Sequence, residues 1–160
     1  MSALPDPALV RVPGEDPGVT LFQDQNREQL RAAYRQAWRR HLAGLPLQPF
    51  EAQLVDVIAA HPEYQPLLAD DDSVQREFDA AGGQGNPFLH LGLHMALREQ
   101  IATDRPAGIA LIQRRLATRL GDAHTAEHRM IEVLGQTLAE AQRSGLPPQE
   151  SLYFERLRRL

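Results

Sequence analysis

The stretch NPFLHLGLHMALREQIA, residues 86–102, combines an Asn-Pro helix start with two histidines four residues apart. Asn86 stands before a proline, which keeps it out of the helical region and makes it a suitable N-cap, so a helix begins at Pro87. Apolar residues lie on nearly every side of this helix, which is typical of a helix at the centre of a bundle. His90 and His94 lie about 40° apart on it, at roughly 100° per residue. Both histidines are therefore expected to lie inside the protein.

A second pair of histidines with the same spacing occurs in DAHTAEHRMIE, residues 122–132. Asp122 is a suitable N-cap for the helix that follows, and His124 and His128 are again about 40° apart on it. Two glutamates accompany this pair, Glu127 in the middle of its apolar face and Glu132 at the edge. The two stretches together place four of the six histidines of the chain on apolar helix faces.

Prolines, glycines and capping residues divide the rest of the chain into further helices. The sequence predicts helices at residues 24–43, 50–60, 87–102, 107–120, 123–143 and 150–159, with room for a short one around 73–80. No strand-like alternation occurs. The predicted fold class is therefore all-α, a small helical bundle of about five to six helices formed by a single domain over residues 21–160. Residues 1–20, rich in proline and glycine, are predicted to form a mobile N-terminal arm.

The order of the helices brings the two histidine pairs together. If consecutive helices alternate in direction, the helices at 87–102 and 123–143 run parallel, and both pairs lie near the same end of the bundle. The end of the helix at 50–60 reaches that level too, with His61 and Glu63. Burying a polar group without a partner costs roughly 2–7 kcal/mol. These side chains are therefore expected either to bind a cation or to hydrogen-bond one another.

The residue types at this level favour a metal site, because imidazole and carboxylate groups are common ligands of divalent metals. The predicted ligands are His90, His94, His124 and His128; Glu132 ranks first as a carboxylate ligand or general base, followed by Glu127 and His61. The expected cofactor is a divalent metal ion, Zn or Fe, with Ni or Cu as further options. A mixed His/Glu set without cysteine favours a catalytic or redox metal over a closed structural zinc.

The predicted function is thus metal binding by a His/Glu site between two parallel helices. Its reaction and substrate are not defined by the sequence, and whether the protein is an enzyme stays open. The alternative function is that of a non-enzymatic interaction or scaffold protein, in which the same histidines form a buried hydrogen-bond network.

Composition excludes several other classes of protein. The absence of cysteine excludes disulfides, thiolate ligands and a cysteine nucleophile, and the absence of lysine excludes Schiff-base chemistry. No apolar run is long enough to cross a membrane and the N-terminus does not resemble a signal peptide, so we expect a cytoplasmic protein without a membrane partner.

A net charge of −4 makes nucleic acid an unfavourable partner. Arg31, Arg35 and Arg39 repeat along one predicted helix, where a solvated face is the favoured interpretation over an RNA-binding face. The sequence identifies no protein partner and leaves a homo-oligomer open.

Four stretches carry a resemblance to a known family. They are AYRQAWRRHLAGLPLQPFEAQLVDVI at 33–58, HPEYQPLL at 61–68, NPFLHLGLHMALREQIATDRPAGI at 86–109 and HTAEHRMIEVLGQTLAEAQRSGLPP at 124–148. In these stretches the chain resembles the bacterial family named domain of unknown function 1841. The resemblance implies a small helical bacterial protein of the cytoplasm and implies no activity. Family members often carry a histidine where this chain has Gln65 and an acid where it has Gln136, so neither position is included among the ligands.

Overall fold

Seven α-helices make up most of the described chain. The structure is a computed structural model that describes residues 17–74, 76, 78 and 85–160. Its helices are α1 (Pro17–Leu42), α2 (Pro49–Ala59), α3 (Gln65–Ala69), α4 (Pro87–Thr103), α5 (Ile109–Leu120), α6 (Ala123–Ser144) and α7 (Glu150–Arg158). Two 3₁₀ turns, Pro62–Tyr64 and Asp71–Val74, flank α3. These ranges contain no strand, which confirms the all-α prediction, although the helices number seven rather than five to six.

The additional helix is α3, and proline explains why the sequence did not predict it. Pro62 and Pro66 would each prevent a helix if they stood in its interior. In the structure each stands in the first turn of its element, the 3₁₀ turn or α3, where its missing N–H is not needed. The predicted mobile arm lies outside the described residues except for 17–20, which belong to α1. Half of the residues of the short helix expected around 73–80 also lie outside them.

Helix α4 is shared by two apolar clusters. Phe88 and Leu91, from its first half, pack with residues of α1 and α2 such as Tyr34 and Ile58. Leu97, from its second half, packs with residues of α5, α6 and α7, among them Leu116, Met130 and Leu157. His94 stands between the two sets on α4 and is 0% exposed. The core therefore has two halves, and the polar residues predicted for the site lie where those halves meet.

The arginines of α1 bond within the chain. Arg35 donates hydrogen bonds to the Leu68 carbonyl at 3.3 Å and to the Asp71 carbonyl at 3.1 Å, and both Arg35 and Arg39 pair with the Asp71 carboxylate. Arg31 donates to the Arg76 carbonyl at 2.9 Å and covers the ring of Phe88. These contacts fasten α1 to the segment after α3. None of the helices in the described part of the chain is long and apolar enough to cross a membrane.

Asn86 fixes where α4 begins. Its side chain accepts hydrogen bonds from the backbone N–H groups of Phe88 at 3.0 Å and Leu89 at 3.2 Å. We expect Asn86→Ala to lower the free energy of unfolding by about 1 kcal/mol, because two N–H groups at the helix start lose their acceptor. Urea denaturation measures the loss. Asn86→Ser, which keeps an acceptor oxygen, should lose much less, and equal losses for the two variants would contradict the capping role.

Candidate metal centre

Four histidine nitrogens meet at the junction of the two core halves. They are the Nε2 atoms of His61, just after α2, of His90 and His94 on α4, and of His128 on α6. His90 Nε2 lies 3.2 Å from that of His94, 3.3 Å from that of His61 and 3.3 Å from that of His128. The nitrogens of His61 and His128 are 3.4 Å apart. The four residues thus offer ligand atoms that all lie within 4.8 Å of one another.

Helix geometry and one turn explain this convergence. On α4, the spacing of four residues puts His90 and His94 on one stripe, one turn apart. His61 follows the last turn of α2, where its N–H donates to the Ile58 carbonyl at 2.9 Å and Pro62 begins the 3₁₀ turn. The ring of Tyr64 then stacks on that of His61, with 5.5 Å between centroids and 8° between planes. The turn and the stacked ring together hold the His61 imidazole towards α4.

Hydrogen bonds on the far side of two rings set their tautomers. His61 Nδ1 lies 2.7 Å from the Val57 carbonyl oxygen, which only accepts, so this nitrogen carries the proton and donates. His94 Nδ1 lies 2.8 Å from Oε2 of Glu127 and donates in the same way. Each of these neutral rings therefore has an unprotonated Nε2. Those two lone pairs face the centre of the cluster, as they do in histidines that bind metals.

Glu127 is the carboxylate of the cluster, and Arg98 holds it in place. Both carboxylate oxygens lie 3.2 Å from Nε of Arg98, and the Glu127 side chain is only 13% exposed. Burial by itself would raise the pKa of Glu127, but the hydrogen bonds from His94 and Arg98 and the arginine charge outweigh it and lower that pKa. Glu127 is therefore ionised and orients the His94 ring. It contacts the far nitrogen of that ring rather than the centre of the cluster.

The buried imidazoles resist protonation. Burial lowers the pKa of His61, His90 and His128, and charge repulsion from the neighbouring histidines, His94 among them, lowers it further; for His61 these effects outweigh the hydrogen bond to the Val57 carbonyl. The effect is largest for His90, whose pKa falls to about 4. At neutral pH these rings are uncharged, which is the form that binds a metal.

His124 and Glu132, both predicted ligands, lie outside the four-nitrogen group. The His124 ring lies parallel to that of His94, with 5.5 Å between centroids and 3° between planes, so towards His94 it presents a face rather than a nitrogen. Glu132 is 70% exposed and its carboxylate pairs with Arg129 at 3.8 Å. Glu132 lies about 40° further round α6 than His128, and about 100° from the buried Ile131, whereas His128 lies about 60° from it. The ranking of Glu132 above Glu127 is corrected accordingly.

Glu63 and His41 lie outside the cluster, whereas His61 is part of it and Arg98 bonds to Glu127 beside it. Glu63 is exposed, and His41, the sixth histidine, stacks on Trp38 with 5.1 Å between ring centroids. His61, ranked last from the sequence, supplies one of the four nitrogens. Arg98 was not predicted at all, although it stands one turn after His94 on the same stripe of α4, a spacing that marks it as a neighbour of the site.

Four of the six nitrogen–nitrogen distances in the cluster match those of tetrahedral coordination, and all six are within 4.8 Å. Four nitrogens bound to one zinc ion at about 2.0–2.1 Å in a regular tetrahedron lie roughly 3.4 Å from one another. Four of the six nitrogen pairs here lie at 3.2–3.4 Å. The four imidazoles are thus positioned to hold a metal ion with no carboxylate among the ligands.

The fold and the cluster define a class of protein, a small all-α protein with a buried group of converging imidazoles. The family model Domain of unknown function (DUF1841) matches residues 26–159, so the chain belongs to that family. The matched range contains all four clustered histidines and Glu127. Neither the curated proteins nor the solved structures contain a match to the chain.

The lowered histidine pKa values predict how the stability of the metal-free protein depends on pH. Unfolded histidines take up protons near the ordinary value of 6.5, whereas folded His90 takes one up only near about 4. The unfolded state therefore binds more protons in this range, and the free energy of unfolding should fall as pH decreases from 6.5 towards 4. Urea denaturation in the presence of a chelator, at several pH values, measures this slope.

The variant His90→Gln tests whether the cluster causes this pH dependence of the free energy of unfolding. His90→Gln removes one of the titrating groups and should make the slope shallower, while His41→Gln should leave it unchanged because His41 lies outside the cluster. Stability of the metal-free protein that stays constant or rises as pH falls through this range would contradict the assignment.

Proposed function

We propose that this protein binds one divalent transition-metal ion through the Nε2 atoms of His61, His90, His94 and His128. The ion would join the end of α2 to α4 and α6. The observation that carries the proposal is the mutual distance of 3.2–3.4 Å between four pairs of these nitrogens. That spacing is the one a tetrahedral ion imposes on its ligands.

Counting donors and acceptors favours a cation over a hydrogen-bond network. The Nε2 atoms of His61 and His94 are acceptors, because their protons are on Nδ1. His90 and His128 would both have to donate from Nε2 to satisfy them. Those two nitrogens are themselves only 3.3 Å apart, so the two donors would then face each other. A metal ion accepts all four lone pairs and leaves no such conflict.

The ligand set points to zinc as the first choice of metal. Imidazole suits Zn, Fe, Ni and Cu, but Cu(II) and Ni(II) favour square-planar or tetragonal arrangements, whereas zinc favours the tetrahedron. Iron is the second choice. With histidine in all four positions the site is closed, as in structural zinc sites, since a catalytic ion keeps one position for water or substrate. The proposed role is therefore to hold an ion that stabilises the fold, in place of the catalytic or redox metal that the sequence favoured.

Metal content and thermal stability test this proposal together. Tag-free protein should contain or take up one Zn²⁺ per chain and should melt at a higher temperature when loaded, because the ion binds only the folded state. The double variant His90→Ala/His128→Ala should lose both the ion and the shift in melting temperature. His41→Ala should keep both.

A wild-type protein that takes up none of Zn²⁺, Fe²⁺, Ni²⁺ or Cu²⁺ and melts at the same temperature with and without them would refute the proposal. The four histidines would then be a buried hydrogen-bond network in an interaction or scaffold protein, the alternative that the sequence left open.

Two of the three glutamates of α6, Glu127 and Glu132, provide a matched pair that tests the role of Glu127. Glu127→Gln should weaken Zn²⁺ binding by about 10–100-fold, because Glu127 orients the His94 ring and makes it a stronger ligand. Glu132→Gln removes the same charge from the same helix at an exposed position and should leave affinity nearly unchanged. Competition with a chromophoric chelator measures both affinities. Equal losses in the two variants would mean that general charge, rather than the contact with His94, controls binding.

A further inference from the structure

His124 is one histidine more than a tetrahedral ion requires. It is half-buried in the first turn of α6, and its ring lies among those of the clustered histidines. The distances between ring centroids are 4.2 Å to His128, 4.9 Å to His61 and 5.5 Å to His94. The His124 ring is thus as close to that of His61 as the His90 ring, at 5.1 Å. It has the position of a ligand, but no nitrogen of His124 belongs to the group of four.

The neighbours of His124 determine from which side it can reach the centre. Its ring contacts within the described chain are with His61, His94 and His128, and His90 is not among them. In a tetrahedron of four ligands, any three define the face opposite the fourth. His124 therefore lies over the face opposite His90. A nitrogen that entered through this face would approach the ion directly opposite the bond to His90.

We propose that His124 is an exchange ligand that replaces His90 on the bound ion. This inference rests on the proposed function. In the exchange, a lone pair of a neutral His124 ring forms a bond to the ion while the bond from His90 Nε2 breaks, and His90 leaves with its lone pair. No proton or electron is transferred. Zinc tolerates the five-coordinate state through which such a replacement passes.

The burial of the other ligands explains why an exchange ligand is useful. His61 and His94 are each 0% exposed, so an ion bound to all four histidines has no direct contact with a chelator or carrier on their side. His90 and the first turn of α6 are only partly buried. Replacement of His90 by His124 would draw the ion towards the start of α6 and vacate the position on the α4 side, next to the partly buried His90. Loading and release would then proceed through an intermediate that still has four nitrogen ligands.

The first experiment measures the rate of metal exchange in the full chain. Zn²⁺-loaded protein is mixed with excess EDTA, and release is followed in the wild type and in His124→Phe, which keeps a ring against His94 but has no nitrogen. Release and reloading should both slow by about tenfold or more, because the barrier rises when no incoming ligand is available. The equilibrium affinity should change little. His41→Phe, outside the cluster, should exchange at the wild-type rate.

The direction of the effect separates this role from two others. His124→Ala, which also serves if the Phe variant does not fold, should slow exchange as well, whereas faster exchange would mean that His124 only covers the site and would overturn the proposal. A change in the visible spectrum of Co²⁺-loaded protein from five-coordinate to tetrahedral in His124→Phe would show a permanent fifth ligand. That result would overturn it too.

A double variant tests the replacement at equilibrium. His90→Ala should still bind Zn²⁺ with reduced affinity, because His124 takes the vacated position. Adding His124→Phe should reduce affinity by about 10–100-fold more in this background than in the wild type. Equal effects in the two backgrounds would overturn the proposal. If the wild type binds no ion at all, the proposed function fails, whereas binding with unchanged exchange in the His124 variants refutes the exchange role alone.

Discussion

Four imidazole nitrogens converge where the two halves of the core meet, and α4 and α6 and the end of α2 are packed around that point. Two of the four lone pairs are fixed by bonds on the far side of their rings, from His61 to the Val57 carbonyl and from His94 to Glu127. Lone pairs that face one another at 3.2–3.4 Å repel unless a proton or a cation lies between them. The burial that lowers the pKa of His90 to about 4 keeps that ring neutral, so it has only one N–H, which cannot separate all of these lone pairs. The proposed metal ion would satisfy all four lone pairs at once.

Much of this arrangement follows from periodicity and chain order. A spacing of four residues placed two histidine pairs on two helix faces, and the alternation of short-looped helices brought those faces to one level. Both are local or topological rules, which is why they were sufficient for the all-α fold, the start of α4 at Asn86 and the meeting of His90 with His128. They apply before any side-chain packing is known.

The choice among neighbouring ligands needed information that the sequence does not contain. Glu127 and Glu132 both fall close to the histidine face of α6, and only the packed structure shows that one of them points to Arg98 and the other to solvent. His61 lies in a turn, where no helical period applies and where the stacking of Tyr64 sets the ring. The sequence did not predict α3 for a similar reason: a proline can follow the end of one helix or stand in the first turn of the next, and its position in the sequence does not distinguish the two.

The division of the core into two halves has a consequence for how the molecule unfolds. Each half has its own apolar cluster, α4 is common to both, and the histidines lie at their junction. An ion at that point would couple two otherwise separable cooperative units, since His61 belongs to one side and His128 to the other. Amide hydrogen exchange in α2 and in α6 would then report a single opening with the ion bound and two distinct openings without it. The metal would therefore determine whether the protein unfolds as one cooperative unit or as two, as well as how stable it is.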